Sequence, residues 1–225
     1  MKLHKQLAYT AALAGIFTTQ SASSAVIAGA ILNGSFEANA AGATTATSWA
    51  TVNVGSGATS LSIVTSPGVT VGANAASISV SFGDAFGTVF SQTRSTTDLL
   101  GAGMVNGTIY TISVDYTPTV TGGPLVQLGF DAYGPSFANY LQGYTDIQLT
   151  GVAGVTSTVS HSFTFNSALQ SDSFVFNIRS GNYGSPVAFT LDNFRISDNS
   201  PIPEPSALAL VGLASGALAL RRSRK

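Results

Sequence analysis

Cysteine is absent from all 225 residues. Disulfide staples, thiolate metal sites and cysteine nucleophiles are thereby excluded, and any exported domain in this chain must rely on its own core. Charge is nearly as scarce, with nine basic and ten acidic residues. The basic ones crowd the ends: Lys2 and Lys5 at the start, then Arg221, Arg222, Arg224 and Lys225. Between residues 26 and 203 there is no lysine. There, Arg94, Arg179 and Arg195 stand against Glu37, Asp84, Asp98, Asp115, Asp131, Asp146, Asp172, Asp192 and Asp198, and three against nine leaves −6. Such a surface repels a polyanion like nucleic acid, which is not an expected partner. The same stretch has one histidine, His161, so catalytic and zinc-ligating groups are few. No GxSxG elbow accompanies it, and no P-loop or GxGxxG is present.

The two ends read as addresses. Lys2 and Lys5 precede an apolar run of eleven, Leu7 to Phe17, and Ser23 and Ala25 suit the −3 and −1 positions of a cleavage site. This is the layout of a secretory signal peptide over residues 1–25, with Ala28 and Ala30 as alternative cleavage points. Eleven residues at about 1.5 Å each fall short of a hydrocarbon core of about 30 Å. At the other end, Pro201 to Pro205 read as a stiff linker within 200–205. Ser206 to Leu220 are fifteen uncharged residues, and 221–225 are basic. As a helix the apolar part is about 22 Å long. It is slightly short for a bilayer, but arginines snorkel and membranes thin locally. The positive-inside tendency keeps Arg221, Arg222, Arg224 and Lys225 cytoplasmic, so they act as a membrane stop.

Pro203, Glu204 and Pro205, then the apolar run, then the basic cluster, closely resemble the PEP-CTERM sorting signal of exported proteins in Gram-negative bacteria. The resemblance covers about 25 residues. It implies an exosortase as partner, processing near Pro203-Glu204-Pro205, an inner-membrane intermediate, and a destination at the cell surface or in the extracellular polysaccharide of a biofilm matrix. It does not define what the cargo does.

The cargo, residues 26–199, alternates β-branched and aromatic residues with small polar ones, the pattern of half-buried strands. Tyr110, Ile112, Val114 and Tyr116 share one face, as do Val159, His161, Phe163 and Phe165, and Phe174, Phe176 and Ile178. Further strands are expected at 61–64, 77–82, 88–93, 125–132, 145–150 and 188–197, separated by Gly, Pro, Asn and Asp clusters. One short helical turn is expected within 93–104. Nine or ten such strands indicate an all-β chain, an antiparallel β-sandwich, flanked by the signal helix and the C-terminal hydrophobic helix.

"ILNGSFE" (Ile31 to Glu37), Trp49 and "FTLDNFRIS" (Phe189 to Ser197) resemble the first and last strands of galactose-binding-like jelly rolls, a pattern shared by many carbohydrate-binding modules. That resemblance implies adjacent end strands and a structural calcium held in part by Glu37 and Asp192. Two carboxylates alone do not complete a calcium shell. The plainer alternative makes Asn33-Gly34 a turn, packs Phe36 inward and leaves both acids solvated. No other cofactor is called for.

"GFDAYGPSFANYLQGYTD" (Gly129 to Asp146) gathers Tyr133, Phe137, Tyr140 and Tyr144 in a loop-like setting. Sugar rings stack on such faces while a few polar groups fix hydroxyls; equally, loop aromatics tuck under and anchor the loop. Trp49 and His161 favour core packing. The expected function is therefore a non-enzymatic, exported surface or matrix protein with glycan binding. The alternatives are a secreted carbohydrate-active enzyme using paired carboxylates, or a self-associating surface protein pairing through exposed strand edges.

Overall fold

The computed structural model describes residues 24–81, 86–119, 125–133, 141–146, 152–167, 173–181 and 186–201. Most of the signal peptide, and the Glu204, apolar and basic parts of the tail, lie outside them. Eleven strands occur among the described residues: β1 (Ser24–Val26), β2 (Ala50–Thr51), β3 (Thr59–Val64), β4 (Ala75–Val80), β5 (Phe86–Arg94), β6 (Ile109–Pro118), β7 (Val126–Tyr133), β8 (Leu141–Asp146), β9 (Ser157–Thr164), β10 (Ser173–Gly181) and β11 (Val187–Pro201). The short helix α1 (Thr96–Gly101) supplies the expected turn, with Ser95 and Asp98 closing a capping box. Val26–Asn199 forms one compact unit.

Two antiparallel sheets build that unit. One runs β3-β4-β11-β6-β9, with β1 also paired to β11; the other runs β2-β5-β10-β7-β8. Alternation sends the apolar half of each strand between the sheets: Ile112 and Val114 from β6, Leu128 and Phe130 from β7, Phe174, Phe176 and Ile178 from β10, and Phe189 and Leu191 from β11 are all buried.

Two bulges break the alternation, and both lie where the apolar spacing slips. On β11 the core residues are Phe189 and Leu191, then Phe194 and Ile196. The step of three is absorbed by a register shift against β6 between Asp192 and Arg195, with Asn193 at φ 54°. On β5, Val89 and Phe90 are neighbours and both buried. There the register against β10 jumps from Ile178↔Phe90 to Arg179↔Thr88. An extra residue re-aims the side chains beyond it.

Ile31 to Glu37 is not a strand. Asn33 and Phe36 sit at φ 49° and 60°, outside extended geometry, and the segment is a run of turns. Its approach to β11 is nevertheless close. The Phe194 N–H donates to the Gly34 carbonyl at 2.9 Å, and a Cβ on Gly34 would lie 2.1 Å from the Phe194 oxygen. Phe36 points inward and joins Trp49, Phe90 and Phe194. Trp49 stacks on Phe90 at 4.8 Å and 5°, and its indole N–H donates to the carbonyls of Leu32 and Asn33. Gln92 pins the same turns, donating to the Leu32 and Ser48 carbonyls and accepting from the Leu32 N–H.

The outer face of the six-stranded sheet is also partly covered, which the two-faced sequence pattern did not anticipate. Asp115 and Asp192 are buried there. Asp192 Oδ2 accepts from the Thr70 and Val71 N–H groups at 2.6 and 2.8 Å. Asp115 accepts from the hydroxyls of Thr70 and Thr158, both 2.6 Å, and from the Asn193 amide at 3.0 Å. Arg195 lies 3.5 Å away. The β11 bulge thus turns Asn193 toward Asp115, and the segment around Thr70 is tied to the sheet by carboxylates.

Two outcomes follow from this packing. Phe90→Ala removes the ring at the centre of the Trp49 cluster and should cost about 3–5 kcal/mol in urea unfolding; a loss under about 1 kcal/mol contradicts the central packing role. Burial pushes the Asp115 carboxyl up, but hydrogen bonds from Thr158, Thr70 and Asn193 and the Arg195 charge outweigh it and hold it below its ordinary 3.8. A depressed folded-state value stabilises above the unfolded one and is lost as pH falls through the folded one. The stability gap between wild type and Asp115→Asn should therefore be full near neutrality and shrink once pH drops below 3.8. A gap that widens in acid contradicts the assignment.

Candidate functional site

The five-stranded sheet turns a polar and aromatic face outward. Its centre is set by register. Tyr144 on β8 stands opposite Gly129 on β7, which stands opposite Asn177 on β10. Gly129 has no side chain, and that vacancy seats the tyrosine: a Cβ there would lie 2.4 Å from Tyr144 Cδ1. The phenol reaches back to donate to Asp131 Oδ1 at 2.5 Å, while the Asn177 amide donates to Asp131 Oδ2 at 2.8 Å. Burial, with the neighbouring Asp131 carboxylate adding to it, pushes the Tyr144 phenol well above its ordinary value, so it is a neutral donor at any physiological pH.

One row along, Arg179 stands opposite Gln127 and Thr88. Its guanidinium carbon lies over the Tyr144 ring, 4.5 Å from the centroid, and over the Phe86 ring at 5.2 Å. These are cation–π distances. The β5 bulge sets this register, because it moves Thr88, rather than Val89, opposite Arg179. Gln127 donates to Asp146 Oδ1 at 2.7 Å, closing the row. Asn177 is fully buried, and among the described residues its Oδ1 has no donor.

Of the aromatics expected to meet sugar, Tyr144 is therefore placed on this face. It sits on an edge strand rather than in a loop, since β7 and β8 pair along their length, and one of its ring faces is taken by Arg179. Tyr133 ends β7 opposite Ser173; its side chain, with Phe137 and Tyr140, lies outside the described residues. Phe86, Asn177 and Arg179 were not foreseen. The one available signal was the alternation S-F-V-F-N-I-R, which, once Phe174, Phe176 and Ile178 turn inward, sends Asn177 and Arg179 out.

Glu37 and Asp192 are brought to one segment. Glu37 Oε1 accepts from the Ala73 and Asn74 N–H groups at 2.9 and 2.8 Å, and Asp192 holds Thr70 and Val71 as described. No group of three or more His, Cys, Asp or Glu placed to hold a metal ion occurs among the described residues. His161 is half-buried, 3.0 Å from the Thr145 hydroxyl through Nδ1, and burial lowers its pKa. Pro203, Glu204, Pro205, Arg221, Arg222, Arg224 and Lys225 lie outside the described residues. Within those residues no helix is long and apolar enough to cross a membrane.

Comparison with known proteins bears on the two parts separately. Residues 201–225 match the PEP-CTERM protein-sorting motif, which implies an exported protein sorted by an exosortase. No curated protein matches the chain. Solved structures share the β-sandwich. The enzymatically active domain of tailspike protein 4 from bacteriophage CBA120 has TM-score 0.55 at 10% identity, over 76% of this chain and 21% of that one. The Stig cyclase Fisc from Fischerella sp. TAU has 0.53 at 14%, over 80% and 100%. The N-terminal CBM22-1–CBM22-2 tandem of Xyn10C from Paenibacillus barcinonensis has 0.50 at 11%, over 84% and 49%, so this chain spans about half of the tandem. At such identities the likeness is one of fold: this chain is an all-β sandwich of two antiparallel sheets, built like carbohydrate-binding modules and like some enzymes, with a PEP-CTERM motif at its end.

Proposed function

We propose that this chain is the precursor of an exported, non-catalytic glycan-binding protein of the cell surface or extracellular matrix. The signal peptide starts export, and residues 206–220 with the basic tail halt the chain in the inner membrane. An exosortase then acts near Pro203-Glu204-Pro205, and the sandwich is left outside. The observation that carries the binding role is the half-buried set of Phe86, Tyr144 and Arg179 on the outer face of the five-stranded sheet, seated on buried Asp131 and Asn177. It combines flat apolar surfaces with a few fixed polar groups, the combination that sugar sites use.

Binding is favoured over catalysis by how the described carboxylates are used. Asp115, Asp131 and Asp192 each accept hydrogen bonds from two or more groups of the fold, which spends their lone pairs on structure. A structural calcium at Glu37 and Asp192 would have to displace the backbone N–H groups of Ala73, Asn74, Thr70 and Val71 that their carboxylates already accept.

The test uses the full chain, purified in mild detergent, on a panel of bacterial and plant polysaccharides with and without calcium. Retention of at least one glycan, without release of any shorter product, is expected. Failure to retain any glycan in either condition sinks the binding role, and calcium-independent retention removes the metal alone.

A further inference from the structure

We infer that the glycan held on this face is an acidic polysaccharide, with a uronic-acid carboxylate received by Arg179. This rests on the glycan-binding role proposed above and names the class of sugar.

The first ground is the state of the arginine. Its guanidinium is flanked by the rings of Tyr144 and Phe86, and among the described residues it forms no ion pair and no hydrogen bond. Stacking between rings fixes the plane of a guanidinium but leaves its edge, where the N–H donors lie, unsatisfied. Five N–H donors in a rigid fork match the two oxygens of a carboxylate, and the bidentate pair is among the stronger polar contacts available.

The second ground is that the acids of this face are already engaged. Asp131 gives one oxygen to the Tyr144 hydroxyl and the other to the Asn177 amide. Asp146 takes the Gln127 amide. Of the three arginines between residues 26 and 203, Arg195 lies beside Asp115 and Arg94 is buried. Arg179 is the one held half-exposed, on an outward face, between aromatic rings.

The third ground is what the stacking does to Tyr144. With a guanidinium over its ring, the tyrosine offers a sugar less aromatic surface and more positive charge. A neutral sugar gains little from that exchange, whereas a carboxylated one gains a charge-assisted contact beside a ring. The net −6 of the cargo does not oppose this. It repels a dense polyanion, but a single carboxylate per sugar unit needs only one local cation.

The experiment compares polygalacturonate and alginate with their carboxyl-reduced, neutral forms, using the full chain in mild detergent and affinity electrophoresis. The carboxylated forms should bind about tenfold more tightly or better, the scale of one charge-assisted hydrogen-bonded pair. Arg179→Gln should erase that preference, and Arg179→Lys should restore only part of it, because ammonium lacks the fork. Equal binding of native and reduced polymers by the wild-type chain overturns the inference while leaving glycan binding intact. Binding of neither overturns both. The wild-type comparison alone decides the matter should either variant fail to fold.

Discussion

Apolar side chains meeting between the two sheets hold this domain together, since it has no disulfide to do so. Each fully buried Phe, Leu or Ile contributes about 1.5–3 kcal/mol, and the largest such side chains are mainly phenylalanines. Their arrangement is not uniform. Phe36, Trp49, Phe90 and Phe194 draw together a run of turns, β5 and β11, elements far apart in the chain. The two bulges sit in those same two strands. Packing of Val89 beside Phe90, and of Phe194 three residues after Leu191, requires them. What the bulges then do on the outside, setting the register of Arg179 and turning Asn193 toward Asp115, is a consequence of filling the inside.

Charge is used sparingly and mostly as hydrogen-bond acceptor. Glu37 and Asp192 hold backbone N–H groups of a covering segment, and Asp115 gathers hydroxyls and an amide. Asp131 fixes a phenol and another amide. A buried carboxylate with several donors is secure, and removing its donors leaves an expensive orphan. In a chain with no lysine in its cargo, donors come from the backbone, Thr, Asn and Tyr instead of cations. This explains how a domain of −6 buries several acids, with only one ion pair, Arg195 with Asp115, among its described residues.

How much of this was legible depended on whether the information was local. The strands over 109–118, 157–164 and 173–181 announced themselves by alternation, and so did the inward set Tyr110, Ile112, Val114 and Tyr116. The sorting motif was legible because its three parts are contiguous. At Ile31–Glu37 the jelly-roll resemblance implies a first strand, whereas the chain takes the plainer alternative: Asn33-Gly34 sets a turn, and Phe36 reaches the core at positive φ. Within Gly129–Asp146 the strand at 125–132 was legible, but 141–144 misled in the other direction, since its small and aromatic residues look like a loop and it is strand. Glycine at 129 and 143 is there instead to let side chains lie flat: Tyr144 across the first, and His161 against the second, where a Cβ would stand 2.3 Å from Nε2. A two-periodic pattern also says which residues share a face, never which face a distant segment covers, so the buried outer side of β6 was invisible.

The outward cluster on the five-stranded sheet shows why a site of this kind escapes a sequence motif. Phe86, Asp131, Tyr144 and the pair Asn177 and Arg179 come from four strands whose chain order is β5, β7, β8, β10 but whose spatial order is β5, β10, β7, β8. Strand β10 must enter between its earlier neighbours before Arg179 can lie over both Tyr144 and Phe86. Gly129 on β7 must lack a side chain for the ring from β8 to span it. Each requirement is met by topology and register together, and neither leaves a mark at fixed spacing. The outward cluster is thus a property of the assembled sheet, while the sorting motif is a property of a short linear tail. Selection can alter one without disturbing the other, which is what a sorting signal attached to a sandwich domain requires.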